Sequence, residues 1–176
     1  MIRLFLAVSP PPQVRKAISK EISLLKKQIP HWHVNWVKPE NLHLTLLFLG
    51  WVKEGQEKII QKEVEEAFQD SQKFEITTGN LSYRSHPLWL EVSQGKKELT
   101  DLHKRVLRHL SFKESKDSRP FHPHLTLGRI KKGGRSRPSA IKKIFSWQAK
   151  EIILYQSQPR KTGSVYKELA AFPLKG

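Results

Sequence analysis

The sequence contains no cysteine among its 176 residues. This excludes a disulfide framework, a cysteine-based zinc site and a thiol nucleophile, so any catalysis must use other side chains. Long hydrophobic runs are also missing. The apolar opening Met1–Val8 is interrupted by Arg3 and followed by three prolines, and it is too short for a signal peptide or a membrane span. We therefore expect a protein of the cytoplasm that has no membrane partner.

Acidic residues are scarce relative to basic ones. The chain has 16 Asp and Glu against 32 Lys and Arg, which gives a formal net charge of +16. A positive field of this size attracts polyanions, of which nucleic acid is the clearest candidate. A solvated basic surface that serves solubility explains the charge equally well. The charge therefore indicates a class of partner and does not indicate a reaction.

Patterned segments and a hydrophobic content of 38% predict a mixed α+β fold. Apolar residues at three- and four-residue spacing predict helices over Pro12–Ile29, Glu54–Asp70, Glu98–Leu110 and, as a short one, Ala140–Phe145. Apolar runs and alternation bounded by turn residues predict strands over Ile2–Val8, Leu42–Phe48, Phe74–Tyr83, Leu88–Val92, Leu125–Ile130, Ile152–Gln156 and Val165–Phe172. We expect residues 1–176 to form a single domain.

One tetrapeptide occurs twice in the chain. His-Leu-Thr-Leu stands at His43–Leu46 and again at His124–Leu127, although the chain has only eight histidines. The frequencies of Leu and Thr give a chance of roughly three in a thousand that one of the other histidines begins the same tetrad. Apolar strands often hold such residues, which raises the chance of an accident. The match still indicates that the second half of the chain repeats part of the first.

In each tetrad the histidine and the threonine lie two positions apart. A strand places such residues on the same face, so we expect His43 and Thr45 to point away from a core face formed by Leu42, Leu44, Leu46 and Phe48. Two tetrads brought together would flank one phosphorus atom. A neutral imidazole can take a proton from the nucleophile while a protonated one gives a proton to the leaving oxygen. This chemistry requires no metal.

The remaining histidines carry no predicted chemistry. We expect loop or helix-surface positions for His31, His33, His86, His103 and His109. His122 precedes His124 by two residues, a spacing that can bind metal, but no acidic or cysteine ligand lies nearby in the sequence. We expect His122 to support the site rather than to bind a metal.

Several longer stretches resemble one known family. They are the opening Arg3–Ala7, the run Trp36–Gly50, the strand Leu88–Leu90 and the run Arg119–Arg129. Together they are similar to the two-histidine (2H) phosphoesterases, and among these to the bacterial and archaeal RNA 2′,3′-cyclic phosphodiesterases, also called 2′-5′ RNA ligases. The resemblance covers nearly the whole chain.

This resemblance implies an α+β fold of two pseudo-symmetric lobes, with antiparallel sheets around a central cleft and helices outside. It implies hydrolysis of a terminal 2′,3′-cyclic phosphate to a 2′-phosphate without a cofactor. It also implies ATP-independent 2′-5′ RNA ligation as a reverse reaction, in which an RNA 5′-hydroxyl replaces water. The partners we expect are RNA molecules with 2′,3′-cyclic phosphate ends, tRNA fragments among them, and we expect a monomer.

The resemblance also assigns roles to the tetrad residues. His43 would be the proton donor and His124 the proton acceptor that activates water, while Thr45 and Thr126 would bind phosphate oxygens. Arg129 matches an arginine that the family carries shortly after its second motif, where a guanidinium could help to hold phosphate. A solvated charge at the end of a strand explains Arg129 equally well. Because the two tetrads are identical, the residues alone do not distinguish acid from base.

The segment from Tyr83 to Pro87 departs from the family, because it is short and holds His86 where a basic or proline-rich loop is expected. Arg84 is therefore only a candidate for substrate contact. The basic loop Lys131–Arg137 either contacts the RNA backbone or is a solvated loop. Two other functions stay open, a non-catalytic module of the same fold that binds RNA ends, and a 2H enzyme for another phosphodiester such as 2′-5′ oligoadenylate or a cyclic ADP-ribose phosphate.

Overall fold

The computed structural model describes residues 1–83, 87–111, 120–134, 138–139, 141, 143–160 and 163–176. The helices within these ranges are α1 (Pro12–Gln28), α2 (Glu57–Phe68), α3 (Lys96–His109) and a 3₁₀ turn at Pro39–Asn41. The strands are β1 (Ile2–Val8), β2 (His33–Trp36), β3 (Leu44–Val52), β4 (Phe74–Ser82), β5 (Pro87–Gln94), β6 (His124–Lys132), β7 (Ser146–Ala149), β8 (Glu151–Arg160) and β9 (Gly163–Pro173). The three longer helices and the seven strands predicted from the sequence are confirmed, with ends that differ by a few residues.

The strands pair in the order β7-β4-β5-β6-β3-β1-β8-β9, with β2 paired to β6. All of these pairs are antiparallel. The register of β3 with β6 consists of the single pair Leu44 and Leu125, so the sheet divides there into two halves. One half contains β3, β1, β8 and β9, and the other contains β2, β6, β5, β4 and β7. This confirms the two-lobed α+β fold implied by the resemblance.

The two halves repeat one arrangement of elements. β1 leads through α1 to β3, which pairs with β1, and β5 leads through α3 to β6, which pairs with β5. In each case the second strand carries one of the two tetrads. The repeated tetrapeptide in the sequence therefore marks a repeated strand, helix and strand unit in the fold.

The helices bury the apolar stripes that predicted them. α1 begins at a proline, whose missing N–H costs little at that position, and it buries Ile18, Ile22 and Leu25. α2 and α3 pack against each other and bury equivalent stripes, which are Ile60, Val64, Ala67 and Phe68 for α2 and Leu99, Leu102 and Val106 for α3. These residues share one core with the buried strand faces. No helix in the described ranges has the length and apolar character needed to cross a bilayer.

The helix predicted over Ala140–Phe145 is wrong. Ile141 and the residues 143–145 are not helical, and the chain enters β7 at Ser146. Two short strands, β2 and β7, were not predicted, since four residues give too few alternations to recognise. Lys131 and Lys132, predicted to open a basic loop, instead belong to the end of β6.

The structure also corrects the phase predicted for Phe48. Leu42, Leu44 and Leu46 are buried as expected, but Phe48 is 43% exposed and does not face the core. The register of β3 with β1 shifts twice along this stretch. Each irregularity adds a residue on β3 and resets the alternation of its faces, so Leu47 takes the core side and Phe48 the opposite one.

Candidate active site

The two tetrads meet where the two halves of the sheet join. Leu44 and Leu125, which directly follow the two tetrad histidines, form the pair that links β3 to β6. Each tetrad histidine and threonine therefore adjoins this junction, one residue from a paired leucine and on the opposite face of its strand from that leucine. The charge of His124 is close enough to His43 to affect its pKa. The fold therefore brings together the four tetrad residues that the sequence singled out.

Both histidines are held by the same kind of backbone contact. Nδ1 of His43 lies 2.6 Å from the carbonyl oxygen of Asn41, and Nδ1 of His124 lies 2.7 Å from the carbonyl oxygen of His122. A carbonyl only accepts, so Nδ1 carries the hydrogen in each ring. Nε2 is then the nitrogen that accepts a proton in the neutral ring or gives one in the charged ring. The repeat thus extends to the backbone, since in each tetrad the carbonyl two residues before the histidine orients its ring.

Each tetrad threonine follows its histidine by two residues. Oγ1 of Thr45 is 3.1 Å from Nε2 of His43, so the hydroxyl donates to the neutral ring or accepts from the protonated one. Thr126 is partly buried on β6 and pairs across the strands with Trp89, whose ring packs against His124. The Thr45 hydroxyl therefore lies next to an imidazole, and a threonine hydroxyl in either tetrad can donate to a bound oxyanion.

Aromatic rings pack against each histidine. The ring of His43 has its centroid 5.0 Å from that of Phe5 and 5.3 Å from that of Tyr166, which it meets edge-on. The ring of His124 lies 5.1 Å from that of Trp89. These contacts orient the imidazoles and remove part of their contact with water.

Burial lowers the pKa of the His43 imidazole below its usual value. The hydrogen bond to the carbonyl of Asn41 acts in the opposite direction, and the positive charge of His124 lowers the pKa further. The neutral form of His43 is therefore favoured in the free protein. A negative charge bound between the two rings would favour the protonated form.

Arg129 lies at the edge of the same cleft. Burial raises the pKa of the Tyr166 phenol, and the nearby charges of Arg129 and Arg3 oppose that rise, so both guanidinium groups are close to the Tyr166 ring that packs on His43. Tyr166 and Arg3 belong to one half of the sheet and Arg129 to the other. Arg129 is exposed, and a guanidinium in this position can form paired hydrogen bonds with a phosphate.

His103, predicted to lie on a helix surface without further role, supports the site. Its Nδ1 donates to the carbonyl oxygen of Leu46 at 2.8 Å, and its ring stacks on Phe121 with centroids 4.2 Å apart and planes 6° apart. Leu46 ends the first tetrad and Phe121 precedes the second by three residues. No local pattern marks His103 in the sequence, because both of its partners are distant along the chain. Tyr166 was missed for the same reason.

Within the described part of the chain, no group of three or more His, Cys, Asp or Glu side chains could hold a metal ion. His122 contributes its carbonyl to His124, and the two rings are stacked with centroids 6.4 Å apart. Arg84, His86 and the stretch Arg135–Arg137 of the predicted basic loop lie outside the described residues.

Comparison with known proteins identifies relatives that match along nearly the whole chain. The family model of the 2′-5′ RNA ligase superfamily matches residues 10–159. An RNA 2′,3′-cyclic phosphodiesterase of Archaeoglobus fulgidus is 33% identical, over 97% of this chain and 99% of its own. The crystal structure of E. coli LigT complexed with 3′-AMP superposes with a TM-score of 0.81 at 28% identity, over 99% of both chains. That of TT0787 from Thermus thermophilus has a TM-score of 0.86 at 24% identity, again over 99% of both chains, and so shares the fold.

Proposed function

The chain belongs to the 2′-5′ RNA ligase superfamily, and from this premise we propose that it hydrolyses the 2′,3′-cyclic phosphate at the end of an RNA to a 2′-phosphate. The observation that carries the proposal is the pairing of Leu44 with Leu125, which joins the two tetrads at the base of one cleft. The name of the Archaeoglobus fulgidus relative, an RNA 2′,3′-cyclic phosphodiesterase, supports the same activity.

In the proposed reaction the phosphate binds between the two tetrad histidines. Nε2 of His124 accepts a proton from water as the water oxygen bonds to phosphorus. The bond between phosphorus and the ribose O3′ breaks, and Nε2 of His43 gives its proton to O3′. The products are a 2′-phosphate and a free 3′-hydroxyl. His124 is left charged and His43 neutral, and exchange with solvent restores the starting protonation.

The assignment of His43 as donor rests on the family resemblance and requires the ring to be protonated. Burial favours the neutral ring in the free protein. The anionic cyclic phosphate would raise the pKa of His43 on binding, so the proton donor would form together with the substrate complex. Thr45 and Thr126 would donate to non-bridging phosphate oxygens, and Arg129 would pair with the same group.

The test is turnover of adenosine 2′,3′-cyclic phosphate by the purified protein in the presence of a chelator. ³¹P NMR distinguishes the 2′-phosphate from the 3′-phosphate product and from the unopened ring. Both His43→Ala and His124→Ala are expected to lower kcat by about a hundred- to ten-thousand-fold. His109→Ala is the matched control, because this histidine is exposed at the end of α3 and its ring bonds to the carbonyl of Arg105 in its own helix.

Full activity in either tetrad variant would overturn the mechanism, as would a pH profile of kcat/KM with only one limb. Binding of RNA ends by the wild type without any turnover would assign the protein as a non-catalytic module. A different product, or turnover of only 2′-5′ oligoadenylate or a cyclic ADP-ribose phosphate, would assign another phosphodiester as substrate.

The proposal extends to ligation, since an RNA 5′-hydroxyl in place of water would form a 2′-5′ phosphodiester bond. The new bond from phosphorus to the 5′-oxygen replaces the bond from phosphorus to O3′ that breaks, and O3′ leaves as a hydroxyl, so no ATP is consumed. Mixing one RNA that ends in a cyclic phosphate with another that begins with a 5′-hydroxyl should yield a product of the combined length. We further propose that residues 1–176 act as one bilobal domain, as a monomer in the cytoplasm, with tRNA fragments among the substrates.

A further inference from the structure

Two large aromatic side chains lie exposed on the sheet that carries the first tetrad. Phe48 is 43% exposed and Trp51 is 52% exposed, and they lie only three residues apart on β3. Single exposed apolar residues are common on protein surfaces, but neighbouring ones next to a catalytic site often belong to a binding surface.

The strand register places both rings on the face of the tetrad threonine. Alternate residues of β1 pair with Thr45, Phe48 and Trp51, which face Ala7, Phe5 and Arg3 respectively. Paired residues share a face of the sheet. The two register shifts between these pairs bring positions three apart to the same side, where a regular strand would alternate them.

Beneath this surface, the buried ring of Phe5 connects the exposed aromatic side chains to the site. The ring of Phe5 has its centroid 5.0 Å from that of His43 and 6.1 Å from that of Phe48. Beyond Phe48 the surface ends at Trp51. Because β3 carries two added residues here, the stretch from Thr45 to Trp51 advances only as far as Ala7 to Arg3 on β1. That distance is about 13 Å, which is enough for about four nucleotides at about 3.4 Å per stacked base.

Positive charge accompanies the rings. Arg3 is exposed opposite Trp51, and its charge also reaches Tyr166 beside His43. Across the cleft, Arg129 occupies the repeat position equivalent to Phe48, because each follows its tetrad histidine by five residues. Aromatic faces beside guanidinium groups are the usual composition of sites for single-stranded nucleic acid.

We propose that Phe48, Trp51 and Arg3 bind the nucleotides immediately 5′ of the reacting end of a single-stranded RNA. The inference rests on the proposed function, which puts the terminal phosphate between the two tetrad histidines and leaves the rest of the strand to run along an adjoining surface. Bases stack on Phe48 and Trp51, and Arg3 contacts a backbone phosphate. The preferred substrate is therefore an RNA with a single-stranded 3′ end of several nucleotides rather than a mononucleotide or a blunt duplex end.

The kinetic test compares two substrates, a five-nucleotide single-stranded RNA that ends in a cyclic phosphate and adenosine 2′,3′-cyclic phosphate. Trp51→Ala is expected to lower kcat/KM for the five-nucleotide RNA by about fivefold to a hundredfold, chiefly through KM, and far more than for the mononucleotide. Trp51→Phe should keep most of the preference because it keeps a stacking face. Ile59→Ala is the control, since Ile59 is 58% exposed on α2, and it should match the wild type on both substrates. Equal losses on the two substrates, or no loss on the longer one, would overturn the proposal.

A binding measurement separates this proposal from the proposed function. Fluorescence anisotropy uses the same RNA with an ordinary 3′-phosphate, which the reaction cannot open. Weaker binding by Trp51→Ala, with a wild type that opens no cyclic phosphate, would support the RNA surface and refute the hydrolase. Wild-type-like binding and turnover by Trp51→Ala would refute the surface and leave the hydrolase standing. A dimer of the wild type in sedimentation velocity that Trp51→Ala dissociates would assign the surface to self-association and overturn the proposal.

Discussion

His103 in α3 donates a hydrogen bond of 2.8 Å from Nδ1 to the carbonyl oxygen of Leu46, the last residue of the first tetrad. The equivalent carbonyl of the second tetrad, that of Leu127, accepts from the backbone N–H of Val37 at 2.9 Å. The two tetrads are thus supported at the same position, once by a side chain and once by the main chain. The support of the first tetrad can therefore be removed by a single substitution.

We expect His103→Ala to lower the free energy of unfolding by about 1–3 kcal/mol, because it leaves a partly buried carbonyl without its donor and removes the ring stacked on Phe121. Urea denaturation measures the change. His103→Asn should recover part of the loss, since the amide nitrogen can take the place of Nδ1. An alanine variant as stable as the wild type would show that the contact contributes nothing.

The lowered pKa of His43 predicts how stability depends on pH. The unfolded chain carries this histidine with its ordinary pKa of about 6.5. Because the folded state has the lower pKa, the unfolded state binds more protons as the pH falls through 6.5, and the folded state loses stability there. The contribution of neutral His43 to the free energy of unfolding is therefore fully present above the pKa of the unfolded state. It is lost as the pH decreases towards the pKa of the folded state.

We therefore expect the difference in Tm between the wild type and His43→Gln to change between pH 8 and pH 5, with the wild type losing more stability on acidification. Calorimetry at matched ionic strength measures it, and His109→Gln serves as the exposed control. A difference between wild type and His43→Gln that is constant with pH would contradict the lowered pKa.

A sulfur leaving group distinguishes the proton donor from the acceptor. A cyclic phosphate in which sulfur replaces the bridging 3′ oxygen releases a thiolate, which leaves without being protonated. With this substrate His43→Ala should recover most of its lost kcat, whereas His124→Ala should stay defective because water still needs a base. Recovery by the His124 variant instead would reverse the two roles.

Arg129 is expected to contribute binding energy for the phosphate. Removing a hydrogen bond to a charged group costs about 1.5–3 kcal/mol, so Arg129→Ala should raise KM for adenosine 2′,3′-cyclic phosphate by about tenfold or more. Arg129→Lys should recover only part of this, because lysine cannot form the paired hydrogen bonds. Arg108→Ala on α3 provides an exposed arginine as control. An unchanged KM in Arg129→Ala would favour the solvated-charge interpretation.

Local periodicity in the sequence was sufficient to predict the long, amphipathic elements of the fold. The stripe of Ile18, Ile22 and Leu25 predicted α1 because a helix brings residues three and four apart to one face. The spacing of His43 and Thr45 predicted a shared face for the same kind of reason, since a strand aligns residues two apart. The repeated tetrad also indicated an internal repeat, which the two strand, helix and strand units confirm.

The features that the sequence did not predict depend on contacts between distant parts of the chain. The side on which Phe48 lies depends on irregularities in the pairing of β3 with β1, and β2 and β7 are recognisable only through the strands they pair with. The roles of His103 and Tyr166 depend on partners brought near by folding. The sequence by itself determined which imidazoles and hydroxyls are available and how they point from their own strands. Only the tertiary structure brought the two tetrads together through Leu44 and Leu125, because strand pairing joins segments whose separation along the chain no local pattern encodes.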